Sequence, residues 1–117
     1  MNVLNSTEIE QPSLLIVDDD SVFCEVLTKA MVKRGFEVIC AHTIASAMEK
    51  IESLMPEYAI IDLKLADESG LTLVEKIRKL DPGTRIIMLT GYASIATAIE
   101  AIKLGATHYL AKPVDVN

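Results

Sequence analysis

Five short aliphatic runs, separated by stretches of helical period, limit how this chain can fold more than any other feature. Each run is too short for a helix and rich in β-branched residues, which predicts a strand. Connection of successive strands through a helix predicts parallel pairing with right-handed crossovers. The predicted strands are residues 14–18, 36–41, 58–62, 85–90 and 107–110.

Four amphipathic helices are predicted between these strands, because apolar residues recur there every three or four positions. Glycine or proline follows each helical stretch, as expected where a helix ends. The apolar positions that share a face are Val22, Val26, Leu27, Ala30 and Met31 in the first helix; Ile44, Met48, Ile51 and Met55 in the second; Leu71, Val74 and Ile77 in the third; and Ile95, Ile99 and Ile102 in the fourth.

The strand segments LLIVD and RIIML are apolar on both sides, which suits strands covered by helices on both faces. The predicted fold class is therefore α/β, with a flavodoxin-like, doubly wound, five-stranded parallel sheet of strand order 2-1-3-4-5. Ligands of such sheets bind beyond the carboxyl ends of the strands, where the first and third strands are neighbours. Asp18, Asp19 and Asp62 stand at those ends.

The length of 117 residues fits one domain. Residues 1–12 are polar, lack periodicity and end in Pro12, so they are predicted to form an N-terminal tail before a domain at 13–117. After Lys112 too few residues remain for the fifth helix that should cover the edge of the sheet. Either the chain is cut from a longer parent, or a second copy covers that edge in a homodimer.

The net charge of −6 disfavours unaided binding to nucleic acid or to an anionic membrane. No apolar run approaches the length of a membrane span, and no secretory leader is recognisable. Cys24 and Cys40 lack the CxxC spacing of a redox or zinc motif. These features predict a cytoplasmic chain, without a membrane partner, whose two thiols are reduced and mostly buried.

Three carboxylates, one hydroxyl and one ammonium group are predicted to converge at the carboxyl edge of the sheet. Crowded carboxylates resist ionising together, so the site favours a compensating cation. Oxygen ligands with an open side suit Mg²⁺. With the charge neutralised, one carboxylate can attack a phosphoryl group, and the lysine and the hydroxyl can bind the phosphoryl oxygens. The five residues are Asp18, Asp19, Asp62, Thr90 and Lys112.

Four motifs at the strand ends resemble those of the receiver domains of two-component response regulators. They are IVDDD at 16–20, IIDLKLADESG at 60–70, MLTGY at 88–92 and YLAKP at 109–113, and the resemblance covers about residues 13–117. It implies a signalling switch that assists its own phosphoryl transfer and hydrolysis. Such a switch is not an enzyme in the usual sense. The implied partner is a sensor histidine kinase.

The resemblance also implies a role for each site residue. Asp62 is implied to be the phosphoacceptor, with Thr90 and Lys112 as the residues that bind the phosphoryl group. Tyr109 is implied to turn inward on phosphorylation and so to change the face formed by the fourth helix and the fifth strand; alternatively, it is an ordinary core residue. The implied ligands of Mg²⁺ are Asp18, Asp19, Asp62 and the backbone carbonyl of Lys64.

Residues 90–113 resemble more narrowly the redox-responsive global regulators called RegA, PrrA or ActR. Parents of that group carry a C-terminal DNA-binding helix-turn-helix, which implies transcriptional regulation through an output domain absent from this chain. One departure from the general receiver pattern is Ala66, where many receivers have proline. Asp67 and Glu68 follow it, so the loop after the third strand is expected to be more mobile and more acidic.

A phosphatase of the haloacid dehalogenase type is the alternative function. Asp18, Asp20 and Val22 match its DxDx[TV] signature, in which the first aspartate is the nucleophile and the second the general acid. Such enzymes also need a late acidic pair, whereas Asp115 is the only late acid of this chain. The other interpretation of Asp20 is structural, because aspartate and serine favour the first positions of a helix.

Overall fold

The five predicted strands form one parallel sheet, and the four predicted helices connect them. The structure is a computed structural model that describes residues 11–91 and 95–112. In chain order its elements are β1 (Ser13–Val17), α1 (Ser21–Lys33), β2 (Glu37–Ala41), α2 (Ile44–Leu54), β3 (Tyr58–Ile61), β4 (Lys64–Leu65), β5 (Glu68–Ser69), α3 (Gly70–Leu80), β6 (Arg85–Thr90), α4 (Ile95–Lys103) and β7 (His108–Ala111).

The strand order of the large sheet is β2-β1-β3-β6-β7. It equals the predicted order 2-1-3-4-5, because the short strands β4 and β5 form a separate antiparallel hairpin between β3 and α3. The predicted fold class is thus confirmed. Residues 1–10 of the predicted tail lie outside the described residues. The segment after Lys112, for which no fifth helix is predicted, also lies outside them.

The register of β1 with its two neighbours sets the position of the acidic residues. Val17 pairs with Ala41 on one side and with Ile61 on the other. The N–H of Asp18 donates to the Ala41 carbonyl at 3.1 Å, and the N–H of Asp62 donates to the Val17 carbonyl at 2.9 Å. These two bonds continue the ladder by one residue, so Asp18 and Asp62 leave the sheet at the same edge.

The sheet is buried on both faces, as predicted for a doubly wound fold. Leu15 and Val17 belong to the core on one face, whereas Leu14 and Ile16 belong to the core on the other face. This alternation follows from the two-residue period of a strand. Truncation of a residue such as Leu15 to alanine should cost about 2–5 kcal/mol of unfolding free energy. The core therefore holds the strand ends in a fixed relation.

The predicted apolar face of α1 is wrong in part, because Val22 and Val26 are each more than half exposed. Leu27 of the predicted face is buried, and so is Cys24, which the prediction left out. The helix begins after Asp20, whose side chain accepts the N–H of Phe23 at 3.0 Å. This start turns the positions Cys24 and Leu27 toward the sheet and leaves the two valines in solvent.

The predicted apolar face of α4 also differs from the observed one. Ala101 is fully buried, whereas Ile99 and Ile102 are about half exposed. The small Ala101 side chain lets the helix lie close to the sheet, and the isoleucines then point away from it. Leu110 in β7 is exposed to a similar degree. Within the described residues no helix is long and apolar enough to cross a membrane.

Candidate functional site

Three carboxylates meet at the carboxyl ends of β1 and β3, as the sequence predicts. Asp18 and Asp62 are buried, with 2 % and 7 % exposure, and Asp19 is exposed. Each offers an oxygen atom, and the three atoms lie within 4.8 Å of one another. Clustered carboxylate oxygens with one solvent-facing member fit a hard divalent cation that keeps some of its waters.

The ammonium group of Lys112 bridges the two buried carboxylates. Its Nζ lies 2.7 Å from Asp18 Oδ2 and 3.2 Å from Asp62 Oδ2. The backbone N–H of Lys112 donates to the Thr90 carbonyl at 2.8 Å, which fixes the residue just after β7. Its Nζ also lies 4.3 Å from the centre of the Phe23 ring. Lys112 therefore reaches the acidic cluster from the end of β7, the outermost strand on one side of the sheet.

Burial and charge act in opposite directions on these groups. Burial raises the pKa of Asp18, and the charge of Asp62 adds to the rise, although the hydrogen bond from Lys112 opposes it. Burial lowers the pKa of Lys112, but the hydrogen bond to Asp18 and the charges of both aspartates outweigh it, so the pKa is raised. The pair thus favours the charged lysine, while Asp18 remains short of compensating charge because it is the more deeply buried partner.

Backbone N–H groups orient the two buried carboxylates. The N–H of Asp20 donates to Asp18 Oδ1 at 2.9 Å, and the N–H of Lys64 donates to Asp62 Oδ1 at 3.3 Å. Each donor lies two residues after its acceptor, so local chain geometry supplies both bonds. Lys64 itself is exposed, and its carbonyl as a metal ligand stays a prediction.

The exposed carboxylate of Asp19 is held differently. Its Oδ2 accepts the N–H of Ala66 at 2.8 Å, across a separation of 47 residues. Ala66 lies in the turn of the β4–β5 hairpin with φ of 57°, a left-handed conformation that is uncommon for alanine. The hairpin is therefore connected directly to the acidic cluster.

Thr90 lies at the end of β6, on the same edge of the sheet as Asp62. Ile61 pairs with Met88, so Thr90 stands one residue further along the edge than Asp62, and it is fully buried. Tyr109 is half-buried in β7, and its hydroxyl lies 3.2 Å from Thr97 Oγ1 of α4. The structure thus places Tyr109 between the sheet and α4, consistent with either predicted role.

Two residues without a predicted role contact the backbone carbonyl of Asp18. It accepts the Nδ1–H of His42 at 2.8 Å and the thiol of Cys24 at 3.4 Å. Burial, together with the neighbouring Cys40 and Asp18, raises the pKa of Cys24 to about 12, so this thiol stays protonated. Both cysteines are free thiols; Cys24 is buried and Cys40 half-buried.

Sequence reasoning missed three contributions to this site: the ring of Phe23, the imidazole of His42 and the N–H of Ala66. The position of Phe23 three residues after the helix cap Asp20 was a usable signal, since it faces back toward the strand end. The other two contributions depend on loop conformation, which a periodic pattern does not encode.

Asp20 belongs to the helix and not to the acidic cluster. Its Oδ1 caps α1 through the N–H of Phe23, as the structural interpretation predicts. Of the pair that the phosphatase alternative requires, Asp18 and Asp20, only Asp18 has its carboxylate in the three-carboxylate group. The observed geometry therefore does not support that alternative.

Comparison with known proteins identifies the family of this chain. The profile of the response regulator receiver domain family matches residues 14–117. The photosynthetic apparatus regulatory protein RegA of Rhodovulum sulfidophilum is 50 % identical over 108 residues, which are 92 % of this chain and 59 % of that protein. The acid tolerance regulatory protein ActR of Rhizobium meliloti is 51 % identical over 105 residues, 90 % of this chain and 54 % of that protein.

A solved structure shows the same fold with a chemical modification. It is a response regulator from Burkholderia pseudomallei, determined with a phosphorylated aspartic acid, a calcium ion and citrate. The TM-score is 0.87 at 42 % identity, and the alignment covers 90 % of this chain and 62 % of that one. The chain spans less than two thirds of the length of each of these relatives. It belongs to the family of response regulator receiver domains, and is similar within it to the RegA and ActR regulators.

Proposed function

We propose that this receiver domain is a phosphorylation switch in which Asp62 accepts a phosphoryl group from the phosphohistidine of a sensor histidine kinase. One observation carries the proposal: the Asp62 carboxylate is buried beside two other carboxylates, yet Lys112 reaches it at 3.2 Å. A buried acidic cluster is costly unless it binds something. A bound cation would offset the excess negative charge, and a phosphoryl group would give Lys112 an anionic partner.

Mg²⁺ is the cation that these ligands suit best. Asp18, Asp19 and Asp62 would hold it through carboxylate oxygens, and Lys64 through its backbone carbonyl. Once bound, the ion would neutralise the carboxylates and the phosphoryl oxygens during transfer. The calcium ion and the phosphorylated aspartate of the Burkholderia pseudomallei protein support this assignment by similarity.

The transfer step uses the carboxylate of Asp62 as the nucleophile. One of its oxygens bonds to phosphorus while the bond from phosphorus to the histidine nitrogen breaks, and that nitrogen keeps the electron pair. Lys112 pairs with one phosphoryl oxygen, and the Thr90 hydroxyl donates to another. The chain is therefore a substrate that assists its own modification, and hydrolysis of the acyl phosphate by water resets it.

The output is a change of the face formed by α4 and β7. The Thr90 hydroxyl moves toward the phosphoryl group. Tyr109 then turns into the space that Thr90 leaves and gives up its contact with Thr97. Two such arrangements of one packed element form a switch whose balance local charge can shift. The exposed Ile99 and Leu110 make this face suitable for an output domain or for a second copy of the chain in a homodimer.

The parent of this domain is proposed to be a cytoplasmic transcriptional regulator. RegA and ActR are regulatory proteins by name, and this chain covers only 59 % and 54 % of their lengths. A DNA-binding output domain outside this chain fits the remaining length. The charge of −6 agrees with a receiver domain that does not bind DNA itself.

Phosphorylation by a small phosphodonor with Mg²⁺ tests the assignment. The native chain should gain one phosphoryl group, detected by intact mass and released by hydroxylamine. Asp62→Asn should gain none, and Asp20→Asn, an exposed aspartate of the same acidic run, should be labelled like the native chain. A label that persists in Asp62→Asn but is lost in Asp18→Asn would contradict the proposal and favour the phosphatase alternative.

A further inference from the structure

Asp19 is the member of the acidic cluster that packing does not fix. Asp18 and Asp62 are buried and contact Lys112, whereas the Asp19 side chain is exposed. An exposed carboxylate normally rotates among several conformers, and ordering it for a ligand costs free energy. The hydrogen bond from Ala66 to Asp19 Oδ2, at 2.8 Å, restricts that rotation before any ligand arrives.

Ala66 donates this bond from a strained turn. Its φ of 57° lies in the left-handed region, where an alanine side chain is unfavourable. A proline at position 66, which the general receiver pattern has, would offer no N–H and would fix φ near about −65°. A proline at this position could therefore not make the bond to Asp19, whereas in this chain the carboxylate and the turn hold each other in place.

We propose that the backbone N–H of Ala66 is a positioning group for the metal site. It holds one oxygen of Asp19, so that the carboxylate stays beside Asp18 and Asp62 with its second oxygen available to the cation. The inference rests on the proposed function, because it assumes that the cluster binds Mg²⁺. Residues outside the ligand set that orient a ligand commonly change metal affinity by about 10- to 100-fold when they are lost.

Coupling between the cation and the hairpin must run in both directions. If the bond from Ala66 favours Mg²⁺ binding, Mg²⁺ binding must strengthen that bond by the same factor. The β4–β5 hairpin therefore responds to occupancy of the site, through a contact that does not involve Thr90 or Tyr109.

Removal of this single N–H is the direct test. Semisynthesis of the whole chain with an ester in place of the amide at position 66 deletes the donor and keeps the side chain. Mg²⁺ affinity, measured by calorimetry, should fall about tenfold, the low end expected for an exposed partner. An ester at Gly83 is the matched control, because its N–H donates to the Asp81 carboxylate at 2.9 Å in another exposed turn; its Mg²⁺ affinity should equal that of the native chain.

A second variant separates the N–H from the shape of the turn. Ala66→Gly keeps the donor and tolerates positive φ, so it should bind Mg²⁺ at least as well as the native chain. Equal affinity of the native chain and the ester at 66 would overturn the inference while leaving the proposed function intact. Weak binding by both the ester and Ala66→Gly would overturn it too. Failure of the native chain to bind Mg²⁺ would overturn the inference together with the metal-dependent function.

Two further measurements distinguish positioning from a general loss of structure. Saturating Mg²⁺ should restore the phosphorylation rate of the ester at 66 to within about twofold of the native rate, because only affinity is lost. In the native chain, Mg²⁺ should slow hydrogen exchange of the Ala66 amide and leave that of Gly83 unchanged. A rate that stays low at saturating Mg²⁺, or an Ala66 amide insensitive to Mg²⁺, would contradict the proposal.

Discussion

The Nζ atom of Lys112 lies 4.3 Å from the centre of the Phe23 ring, so helix α1 supplies an aromatic face to the lysine that follows β7. The interaction joins the first turn of α1 to the residue that follows β7. It also covers part of the lysine that Asp18 and Asp62 share.

Phe23→Leu should slow phosphorylation without unfolding the chain. Leucine keeps most of the apolar contact but removes the aromatic face, whose attraction for a cation is worth about 0.5–1 kcal/mol at a partly exposed site. The rate from a small phosphodonor should therefore fall about two- to fivefold. Phe36→Leu is the control, since Phe36 packs against Tyr58 away from Lys112. Equal rates for both variants would show that the ring does not act through Lys112.

The sequence allowed prediction of the sheet and of the carboxylate cluster, because both depend on periodicity. A strand that ends at Val17 and another that ends at Ile61 must present the next residues at one edge once the two strands are paired in parallel. The faces of α1 and α4 were predicted less well. Val22 and Ile99 are apolar but exposed, and apolar character alone does not say whether a residue faces the core or a partner.

The hairpin of residues 64–69 was predicted only as a loop, and its bond to Asp19 was not predicted at all. The bond depends on the positive φ of Ala66. An alanine in a sequence does not indicate that the backbone adopts this conformation. The carboxylates could thus be found from their positions after the strands, whereas the groups that orient them had to be read from backbone geometry.

Asp18→Asn should raise the melting temperature of the metal-free chain at neutral pH. Burial raises the pKa of Asp18, which means that the folded state disfavours its charge even beside Lys112. Removal of that charge should raise the melting temperature by roughly 3–5 °C, whereas Glu52→Gln, which removes an exposed charge on α2, should change it little. Thermal unfolding without divalent cations makes the comparison.

The advantage of Asp18→Asn should also depend on pH. A carboxyl whose pKa is raised on folding destabilises the folded state above its folded pKa, and this penalty fades as pH falls toward the ordinary value of 3.8. The two melting temperatures should therefore converge in acid. In Mg²⁺ the order should reverse, because only the native chain gains stability from full binding of the cation. A metal-free Asp18→Asn less stable than the native chain at neutral pH would refute the repulsion argument.

Lys112→Met should destabilise the metal-free chain at neutral pH. It leaves Asp18 and Asp62 without the ammonium group that lies 2.7 Å and 3.2 Å from them, at a cost of about 2 kcal/mol. Lys29→Met, which loses only an exposed contact of 4.0 Å with Glu25, is the control. The difference between native and variant should shrink as the carboxyls become protonated in acid, and urea unfolding at several pH values measures it.

The contribution of Lys112 to stability should also be measurable at alkaline pH. Because the pKa of Lys112 is raised above its usual 10.5, its stabilising effect is complete below that value and is lost as pH rises through the higher folded pKa. The native chain should therefore lose stability in that alkaline range more steeply than Lys112→Met does. Parallel curves for the two chains would show that the ion pairs contribute nothing to stability.

Gly70→Ala should impair both folding and phosphorylation, because an added Cβ would collide with the backbone carbonyl of Asp62. The glycine N–H also donates to the Leu63 carbonyl at 2.6 Å, so α3 begins directly against the loop that carries Asp62. Relief of the collision must shift either the helix or Asp62, at an expected cost of about 1–3 kcal/mol in unfolding free energy. Gly91→Ala, where an added Cβ would meet nothing within 4 Å, should leave stability nearly unchanged. If Gly70→Ala unfolds like the native chain and is phosphorylated at the native rate, then the close contact between α3 and Asp62 does not constrain the site.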